Sequence, residues 1–441
     1  MRYLILAFAA LGIAAPALAQ APPASTEAAR AAPAFDARVR ELLGILGGTG
    51  SYEAYFTPGF RTAVPKATFD QIGAQVAGEY GKPLAIEATA LATPWSGTVH
   101  VRFERAILAL RLNVEAAEPH QVSGLRILGP VSREKTLAEV AAALDALPGT
   151  TGYAFAKLGS GAPRLTLKHN ADKPLAVGSA FKLVILAELV RATNAGQRKW
   201  DDMVTLDGRE LPGGGYTMKP AGAQVSLREL ATKMISISDN SATDILLGHL
   251  GREKVEAMLD RIGVRPDPRN RPYLSTLEAF KLKWLEDGAL ADRFNTLDEA
   301  GQRRMLTREV AAADITPLMR MTGLPEKPSR IDTIEWFFTP ADMIRVIDWL
   351  RRNSEGPNGA DARAVLSKNP GLAIDKAQYG WVGFKGGSEP GLINLTLLLQ
   401  GADGAWYAAT GTWNNVAASV DDQRFVGLMT ALVKFAGPAK P

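Results

Sequence analysis

The chain has 441 residues, which at roughly 100 to 200 residues per domain predicts two or three folding units. Its 50 lysine and arginine residues nearly balance 46 aspartate and glutamate residues, so we expect no strong positive field for nucleic acid. Cysteine is absent, and the four histidines (His100, His120, His169 and His249) show no metal-ligand spacing. The sequence therefore predicts no disulfide, no metal site and no cofactor.

The amino terminus has the pattern of an export signal. Residues 4–15 are apolar but too few to span a bilayer, and Ala-Leu-Ala at residues 17–19 matches a signal-peptidase site. We expect a signal peptide over residues 1–19, cleaved after Ala19, and a periplasmic or secreted protein without a membrane span. A membrane anchor is the alternative interpretation. Residues 20–34 are rich in alanine and proline and are predicted to be a flexible linker.

Residues 35–130 are predicted to form a small α+β domain. Helical patterns come first, and alternation of apolar and polar residues follows. The helices are expected around residues 39–46 and 69–80, and the strands around 98–104, 108–114 and 122–128. Helices followed by antiparallel strands are typical of one α+β unit, and this order is similar to that of NTF2-like and ketosteroid-isomerase-like domains. We identify no second active site here and expect a packing or positioning role.

Residues 131–441 are predicted to form a larger α/β domain. Strand patterns at both ends of this range flank a helical middle, so we expect one sheet built from both ends of the domain. Helices are expected at 136–147, 179–190, 227–237, 242–250, 277–286, 340–352 and 421–435, and strands at 152–158, 380–384, 392–400 and 406–413.

A Ser-x-x-Lys motif, Ser179 to Lys182, opens the most apolar of these helices. Because residues i and i+3 share a helix face, the hydroxyl and the amine are expected on one side of the helix start. Burial can remove the proton of a lysine, and the neutral amine can then accept the proton of an attacking hydroxyl. The motif alone is common, since Ser132 to Lys135 also matches it, and Lys182 as a lysine whose stem merely crosses the core is the alternative.

Two further motifs follow along the chain. Ser238-Asp239-Asn240 lies between two predicted helices, where a serine can carry a proton and an asparagine can bind a substrate amide, although such a tripeptide also caps helices. Residues 385–388, Lys-Gly-Gly-Ser, end an apolar strand and place a cation beside backbone N–H groups that a ligand can approach closely. Ser-x-x-Lys, Ser-Asp-Asn and Lys-x-Gly in this order form a known set of catalytic motifs.

From about Thr150 onward the chain resembles class A β-lactamase-type serine hydrolases of the penicillin-recognising fold. The resemblance is carried by residues 174–186, 234–247 and 384–391 and by the spacing of the first two motifs. It implies a β-lactamase/transpeptidase-like domain preceded by the small α+β domain. This layout is similar to that of the two-domain β-lactamase-like protein of clavulanic-acid gene clusters.

The resemblance implies four catalytic residues. Ser179 would be the acylated nucleophile and Lys182 its activating base. Ser238 would relay a proton to the leaving atom, and Lys385 would bind the substrate carboxylate and support Ser238 electrostatically.

The resemblance also implies three substrate-binding residues, Asn240, Gly387 and Ser388. Asn240 would hold the substrate amide, and the backbone N–H groups of Ser179 and Ser388 would form the oxyanion hole. Gly386 stands where the family has threonine or serine, so the hydroxyl that binds the substrate carboxylate is lost unless Ser388 replaces it.

The family's Glu-x-x-Leu-Asn loop, whose glutamate activates the deacylating water, has no clean match between Leu259 and Pro340. Glu278 is nearest in spacing, but its surroundings are predicted to be helical and we do not assign it. We therefore expect an exported, monomeric serine hydrolase that acts through an acyl-enzyme on β-lactam, amide or ester substrates, with slow deacylation. The alternatives are an esterase and a penicillin-binding-like module that recognises cell-wall peptides with little or no turnover. A Ser-His-Asp hydrolase is disfavoured because no Gly-x-Ser-x-Gly motif occurs.

Overall fold

A computed structural model describes residues 31–320, 325–355 and 359–439. The main division of the chain falls between Lys135 and Thr136, and both units combine helices with an antiparallel sheet. The predicted signal peptide and most of the predicted linker lie outside the described residues. The first helix begins at Pro33, so residues 33 and 34 of the range 20–34 are helical. Proline fits the first position of a helix, and Phe35, two residues later, is fully buried.

The first unit consists of helices followed by a four-stranded sheet in the order β1-β2-β3-β4. Its core is formed where the helices cover the inner face of the sheet, with Phe35, Leu42, Val99 and Leu112 all fully buried. The elements are α1 (Pro33–Leu46), α2 (Tyr52–Tyr55), α3 (Pro58–Ala63), α4 (Lys66–Tyr80), β1 (Pro83–Thr93), β2 (Ser96–Phe103), β3 (Ile107–Val114) and β4 (Val122–Val131).

The second unit has a five-stranded antiparallel sheet in the order β11-β12-β13-β5-β6, and two short strand pairs, β7 with β10 and β8 with β9. The strands are β5 (Thr150–Leu158), β6 (Arg164–His169), β7 (Leu175–Ala176), β8 (Met203–Thr205), β9 (Gln224–Ser226), β10 (Phe337–Phe338), β11 (Tyr379–Glu389), β12 (Leu392–Gly401) and β13 (Trp406–Asn414). β5 pairs with β13, so one sheet is indeed built from both ends of the domain.

The helices of the second unit include α6, which is buried along almost its whole length because its residues are apolar on nearly every side. They are α5 (Leu137–Asp145), α6 (Lys182–Asn194), α7 (Leu227–Ser236), α8 (Asn240–Leu250), α9 (Arg252–Ile262), α10 (Thr276–Trp284), α11 (Ala289–Asn295), α12 (Glu299–Met305), α13 (Thr316–Met319), α14 (Pro340–Asn353), α15 (Ala360–Ser367) and α16 (Asp422–Ala436). Within the described ranges, every helix is too short or too polar to cross a bilayer.

Candidate active site

Ser179 lies in a single 3-10 turn, Gly178–Phe181, that leads directly into α6. The turn is fixed from beneath by an aromatic stack, in which the rings of Phe181 and Trp336 lie 3.6 Å apart with an interplanar angle of 6°. The buried hydroxyl of Tyr273 donates to the Phe181 carbonyl oxygen at 2.9 Å. The α-helix itself begins at Lys182, three residues later than predicted, so Ser179 is presented by a rigid turn at the helix start.

Strand β11 passes immediately beside this turn. A Cβ atom added at Gly387 would overlap the carbonyl oxygen of Val177 and the amide nitrogen of Ser179, and one added at Gly178 would lie 3.3 Å from the amide nitrogen of Ser388. Gly178 also has a φ of +49°, which favours glycine. The two glycines therefore allow the backbone amides of Ser179 and Ser388 to come close together. Ser388 itself is exposed at this point of the strand.

Lys182 is fully buried, and its amine is surrounded by oxygen atoms. Its Nζ donates to the backbone oxygen of Ser238 at 2.7 Å, to Ser238 Oγ at 3.1 Å and to Asn240 Oδ1 at 2.7 Å. Three donors are the full capacity of an ammonium group. On loss of one proton, the two short bonds can persist while the longest one is released, and the nitrogen lone pair then becomes available.

Ser238 connects the two lysines of the site. Its Oγ accepts from Lys182 Nζ and from Lys385 Nζ, each at 3.1 Å. Its backbone has a φ of +58°, a conformation that non-glycine residues rarely adopt and that costs of order 1–3 kcal/mol. The strained residue lies at the end of α7, just before α8, and its conformation directs both its carbonyl oxygen and its hydroxyl toward Lys182.

Asp239 and Asn240 have separate tasks at the start of α8. Asp239 is the N-cap, accepting from the backbone N–H of Ala242 at 2.8 Å, and it also accepts from the Ser241 hydroxyl at 2.6 Å and from the backbone N–H of Gly215 at 2.7 Å. The helix-cap interpretation of the tripeptide is thus correct for Asp239. Asn240 follows in the first turn with its Oδ1 on Lys182, so its amide N–H₂ group points away from that lysine.

The two lysines compete for protons. Burial lowers the pKa of Lys182 to about 7, against the opposing charges of Asp244 and Asp239. Burial also lowers the pKa of Lys385 well below its ordinary value, and the charge of Lys182 adds to this. Both amines hydrogen-bond to Ser238 Oγ, so their titrations are coupled. We expect the two lysines together to carry less than two positive charges near neutral pH.

Asp244 is a neighbour of Lys182 that sequence reasoning missed. It follows Asn240 by four residues on α8, a spacing that places both on one helix face, and it is the sole carboxylate of that helix. That pattern could have revealed it. Its two oxygens accept from the backbone N–H groups of Thr276 and Leu277, each at 2.8 Å, and burial raises its pKa to about 6.

The structure thus brings Lys182, Ser238, Asn240 and Lys385 into one hydrogen-bonded group, and it places Ser179, Gly387 and Ser388 together where β11 meets the 3-10 turn. Ser179 lies one helical turn before Lys182. Within the described residues, however, its hydroxyl has no hydrogen bond to the Lys182 amine. Such contacts are often long before substrate binds.

The sequence model of the beta-lactamase enzyme family matches residues 133–354 of the chain, which is half of its length. The chain belongs to the beta-lactamase enzyme family. It is therefore a β-lactamase-like serine hydrolase with a β-lactamase/transpeptidase-like fold, and the sequence-based prediction of the family is confirmed.

Individual relatives of this β-lactamase-family chain are distant. It is 25% identical to a β-lactamase of Rhodobacter capsulatus over 279 residues, covering 63% of this chain and 79% of that protein. It is 30% identical to β-lactamase 1 of Streptomyces cacaoi over 28% of this chain and 48% of that protein, about half of that relative. Among solved structures, a β-lactamase from Sphaerobacter thermophilus is similar with a TM-score of 0.45 and 20% identity, covering 67% of this chain and 94% of that one.

The resemblance to the β-lactamase family does not identify the carboxylate that would activate the deacylating water. Glu278, the nearest candidate in spacing, has other partners. It is the third residue of α10 and forms a capping box with Ser275, accepting from the Ser275 backbone N–H at 2.8 Å. Its other oxygen accepts from Arg252 at 2.6 Å. Both oxygens are therefore engaged in holding the helix start. Among the residues that the structure describes, no group of three histidine, cysteine, aspartate or glutamate side chains is arranged to hold a metal ion.

A second charged cluster lies at the end of β11. It was not predicted from the sequence. Lys283 on α10 donates to Glu335 at 2.6 Å and forms a further ion pair with Glu389, which follows Ser388 directly. The side chains of Lys283 and Glu335 are 1% and 3% exposed. Burial raises the pKa of Glu389, and the neighbouring Glu335 raises it further, while Lys283 opposes both. The cluster thus fixes the strand end next to Ser388.

Proposed function

We propose that this protein acts through a serine acyl-enzyme, with Ser179 as nucleophile and Lys182 as general base. The observation that carries the proposal is the state of Lys182, a fully buried lysine one turn after Ser179 whose pKa is lowered to about 7. An amine with a pKa of about 7 is neutral in a large fraction of the molecules at physiological pH, and a pKa near the working pH is close to the optimum for a general base.

The proposed reaction uses the side chains of Ser179, Lys182 and Ser238 and the backbone N–H of Ser388. Neutral Lys182 accepts the proton of the Ser179 hydroxyl as its oxygen attacks the substrate carbonyl. The backbone N–H groups of Ser179 and Ser388 then stabilise the oxyanion, each such donor being typically worth about 3 kcal/mol of barrier. Lys182 passes the proton to Ser238, its partner at 3.1 Å, and Ser238 delivers it to the leaving nitrogen or oxygen.

Substrate recognition is proposed for Asn240, Lys385, Gly387 and Ser388. The amide N–H₂ of Asn240 would bind the substrate amide, since its oxygen is occupied by Lys182. Lys385 would bind the substrate carboxylate through its N–H groups, with the exposed Ser388 providing the hydroxyl that Gly386 lacks. Gly387 would contribute by its lack of a side chain, which allows the strand to approach Ser179.

We propose slow deacylation, because the carboxylates nearest to the base have other tasks. Asp239 and Asp244 are the charges that act on Lys182, and each accepts hydrogen bonds from two backbone N–H groups. A carboxylate bound in this way is a poor water activator. The substrates are proposed to be β-lactams, amides or esters. The same observation supports a second candidate function, a penicillin-binding-like recognition module with little turnover.

The remaining features of the function rest on the sequence. We propose a signal peptide over residues 1–19, cleavage after Ala19, and a periplasmic or secreted monomer that meets β-lactam antibiotics or cell-wall peptides outside the cytoplasm. Residues 35–130 are proposed to be an NTF2-like domain with a positioning role, and residues 131–441 the hydrolase domain. The helices followed by the meander β1-β2-β3-β4 support the former assignment.

The test is a time course of intact-mass spectrometry with fluorescent penicillin and with a fluorophosphonate, followed by peptide mapping. We expect one adduct per chain, on the peptide that contains Ser179, and none in the Ser179→Ala variant. A long-lived penicillin adduct is expected from slow deacylation, whereas rapid decay with release of hydrolysed penicillin would contradict that part. A wild-type protein that stays unlabelled and hydrolyses neither nitrocefin nor nitrophenyl acetate would refute the enzymatic proposal.

A further inference from the structure

A cleft of about 430 Å³ opens in the second unit near the C-terminal end of α6. It is lined by residues from α6, from the segment after it, from the end of α8 and from α9, and none of the proposed active-site residues lines it. Ala257 is exposed and contributes apolar surface. The charged residues that line the cleft are Glu188, Arg191, Arg198, Lys254 and Arg261. A volume of this size falls in the range of small-molecule sites, roughly 300–1,000 Å³.

One cation of the cleft is already neutralised. Glu188, which is 1% exposed, accepts from Arg191 in bidentate fashion at 2.6 and 2.8 Å. Arg191 also donates to the side-chain oxygen of Gln197 at 2.8 Å. This pair contributes no net charge and holds the Arg191 guanidinium in a fixed position.

The other three cations lack such compensation. Arg198, Lys254 and Arg261 form no ion pair with any carboxylate of the described residues. Lys254 and Arg261 lie seven residues apart on α9, two helical turns on one face, and so point to the same side. The residues that line the cleft therefore carry three positive charges in excess.

The guanidinium group of Arg198 has a hydrogen-bond donor that the described residues leave without a partner. Its guanidinium donates to the Gln197 backbone oxygen at 3.0 Å, but its Nε is buried and has no hydrogen-bond partner among the described residues. The positive charges of the cleft also act on the pKa of the neighbouring His249. Burial lowers the pKa of His249, the charges of Arg198 and Lys254 lower it further, and Asp202 opposes them.

We propose that this cleft binds a small anion with two or more negative charges, and specifically a phosphate or pyrophosphate group. Guanidinium groups match phosphate oxygens in bidentate geometry, and an ammonium adds a mobile point charge. Three uncompensated cations suit such a polyanion better than a single carboxylate. The exposed side chain of Ala257 borders the cleft and can contact the organic part of a phosphorylated small molecule or of a lipid headgroup.

The test is titration calorimetry of the full-length protein with inorganic phosphate and pyrophosphate, with parallel sedimentation against vesicles of phosphatidylcholine with and without phosphatidylglycerol. We expect saturable binding of pyrophosphate, tighter than of phosphate and weakened by salt. The triple variant Arg198→Gln, Lys254→Gln, Arg261→Gln should bind about tenfold or more weakly. The matched control replaces three exposed basic residues elsewhere, Lys168→Gln, Arg308→Gln and Lys376→Gln, and changes the net charge equally.

Each outcome decides the proposal. Pyrophosphate binding that the cleft variant loses and the control keeps supports a soluble phosphate ligand, and vesicle binding with the same pattern supports a headgroup. Absence of binding to all probes overturns the proposal, as does an equal loss in the control or vesicle binding that survives in the cleft variant. If the triple variant unfolds at a lower temperature than the wild type, the single variants Arg198→Gln and Lys254→Gln provide the same comparison. Acylation of Ser179 is measured separately, so failure here leaves the proposed hydrolase reaction untouched.

Discussion

The Lys182→Met variant is expected to be acylated at Ser179 about 10²- to 10⁴-fold more slowly than the wild type, which is the usual contribution of a general base. Methionine fills the buried space but cannot accept the Ser179 proton. The pH dependence should change as well. Because the neutral amine is the active form and burial lowers its pKa to about 7, wild-type acylation should rise with pH through that value and then level off. The variant should lack this rise. Stopped-flow measurement of fluorescent penicillin acylation between pH 5 and pH 9 tests both points.

The Asp244→Asn variant tests whether the rise of the acylation rate with pH, here called the pH limb, is due to Lys182. Asp244 opposes the lowering of the Lys182 pKa, so removing its charge should move the limb to lower pH. The fold is checked by circular dichroism, because the carboxylate also accepts two backbone N–H groups. A limb that stays at its wild-type position in Asp244→Asn, or that persists in Lys182→Met, would assign the titration to another group. A Lys182→Met rate equal to that of the wild type would remove Lys182 from the mechanism.

The Lys283→Met variant is expected to lose about 3–5 kcal/mol of unfolding free energy at neutral pH, the usual cost of removing one partner from a buried ion pair. Glu335 and Glu389 would remain buried without their cation, and the pKa of Glu389, which burial already raises, would rise further without the opposing charge of Lys283. Carboxyls with raised folded-state pKa values bind more protons in the folded than in the unfolded state. The variant should therefore regain stability as the pH falls from 8 toward 5. Urea unfolding at these pH values measures the effect.

Two comparisons test whether the buried charge is responsible. Adding Glu389→Gln to Lys283→Met removes one of the two orphaned carboxylates and should restore part of the stability. The exposed Lys376→Met should change stability by less than about 0.5 kcal/mol. If Lys283→Met is as stable as Lys376→Met, or equally destabilised at pH 5 and pH 8, the cluster does not hold the end of β11 in the way that its geometry indicates.

The fold was predictable where the sequence carried a strong local signal. α14 begins at Pro340, as predicted, because Thr339 and Asp342 form a capping box around a proline that fits the first turn. β12 and β13 read as buried apolar runs and lie where expected. β1 was missed because it is mostly exposed and lacks the alternation of a half-buried strand. β6 was missed although its residues alternate between exposed and half-buried, because the run is short and contains only two apolar residues, Leu165 and Leu167.

The candidate site was predictable as a set of motifs but not as a set of contacts. The order of Ser179, Ser238 and Lys385 along the chain indicates the chemistry. That Gly387 must lie against Val177 for the amides to meet follows from packing between distant segments, which no local pattern encodes. No local pattern predicts the ion pair of Lys283 with Glu389 either, because Glu389 lies more than a hundred residues further along the chain.

The pairing of β5 with β13 determines when the second unit can acquire its structure. Thr150 is paired with Asn414, so the centre of the sheet cannot form until the chain has been synthesised beyond Asn414. Contacts of this range impose a large loop-closure entropy and slow the search for the native topology. The first unit joins consecutive strands through hairpins and can mature on the ribosome. We expect two kinetic phases of refolding, the slower one reporting the register of β5 against β13.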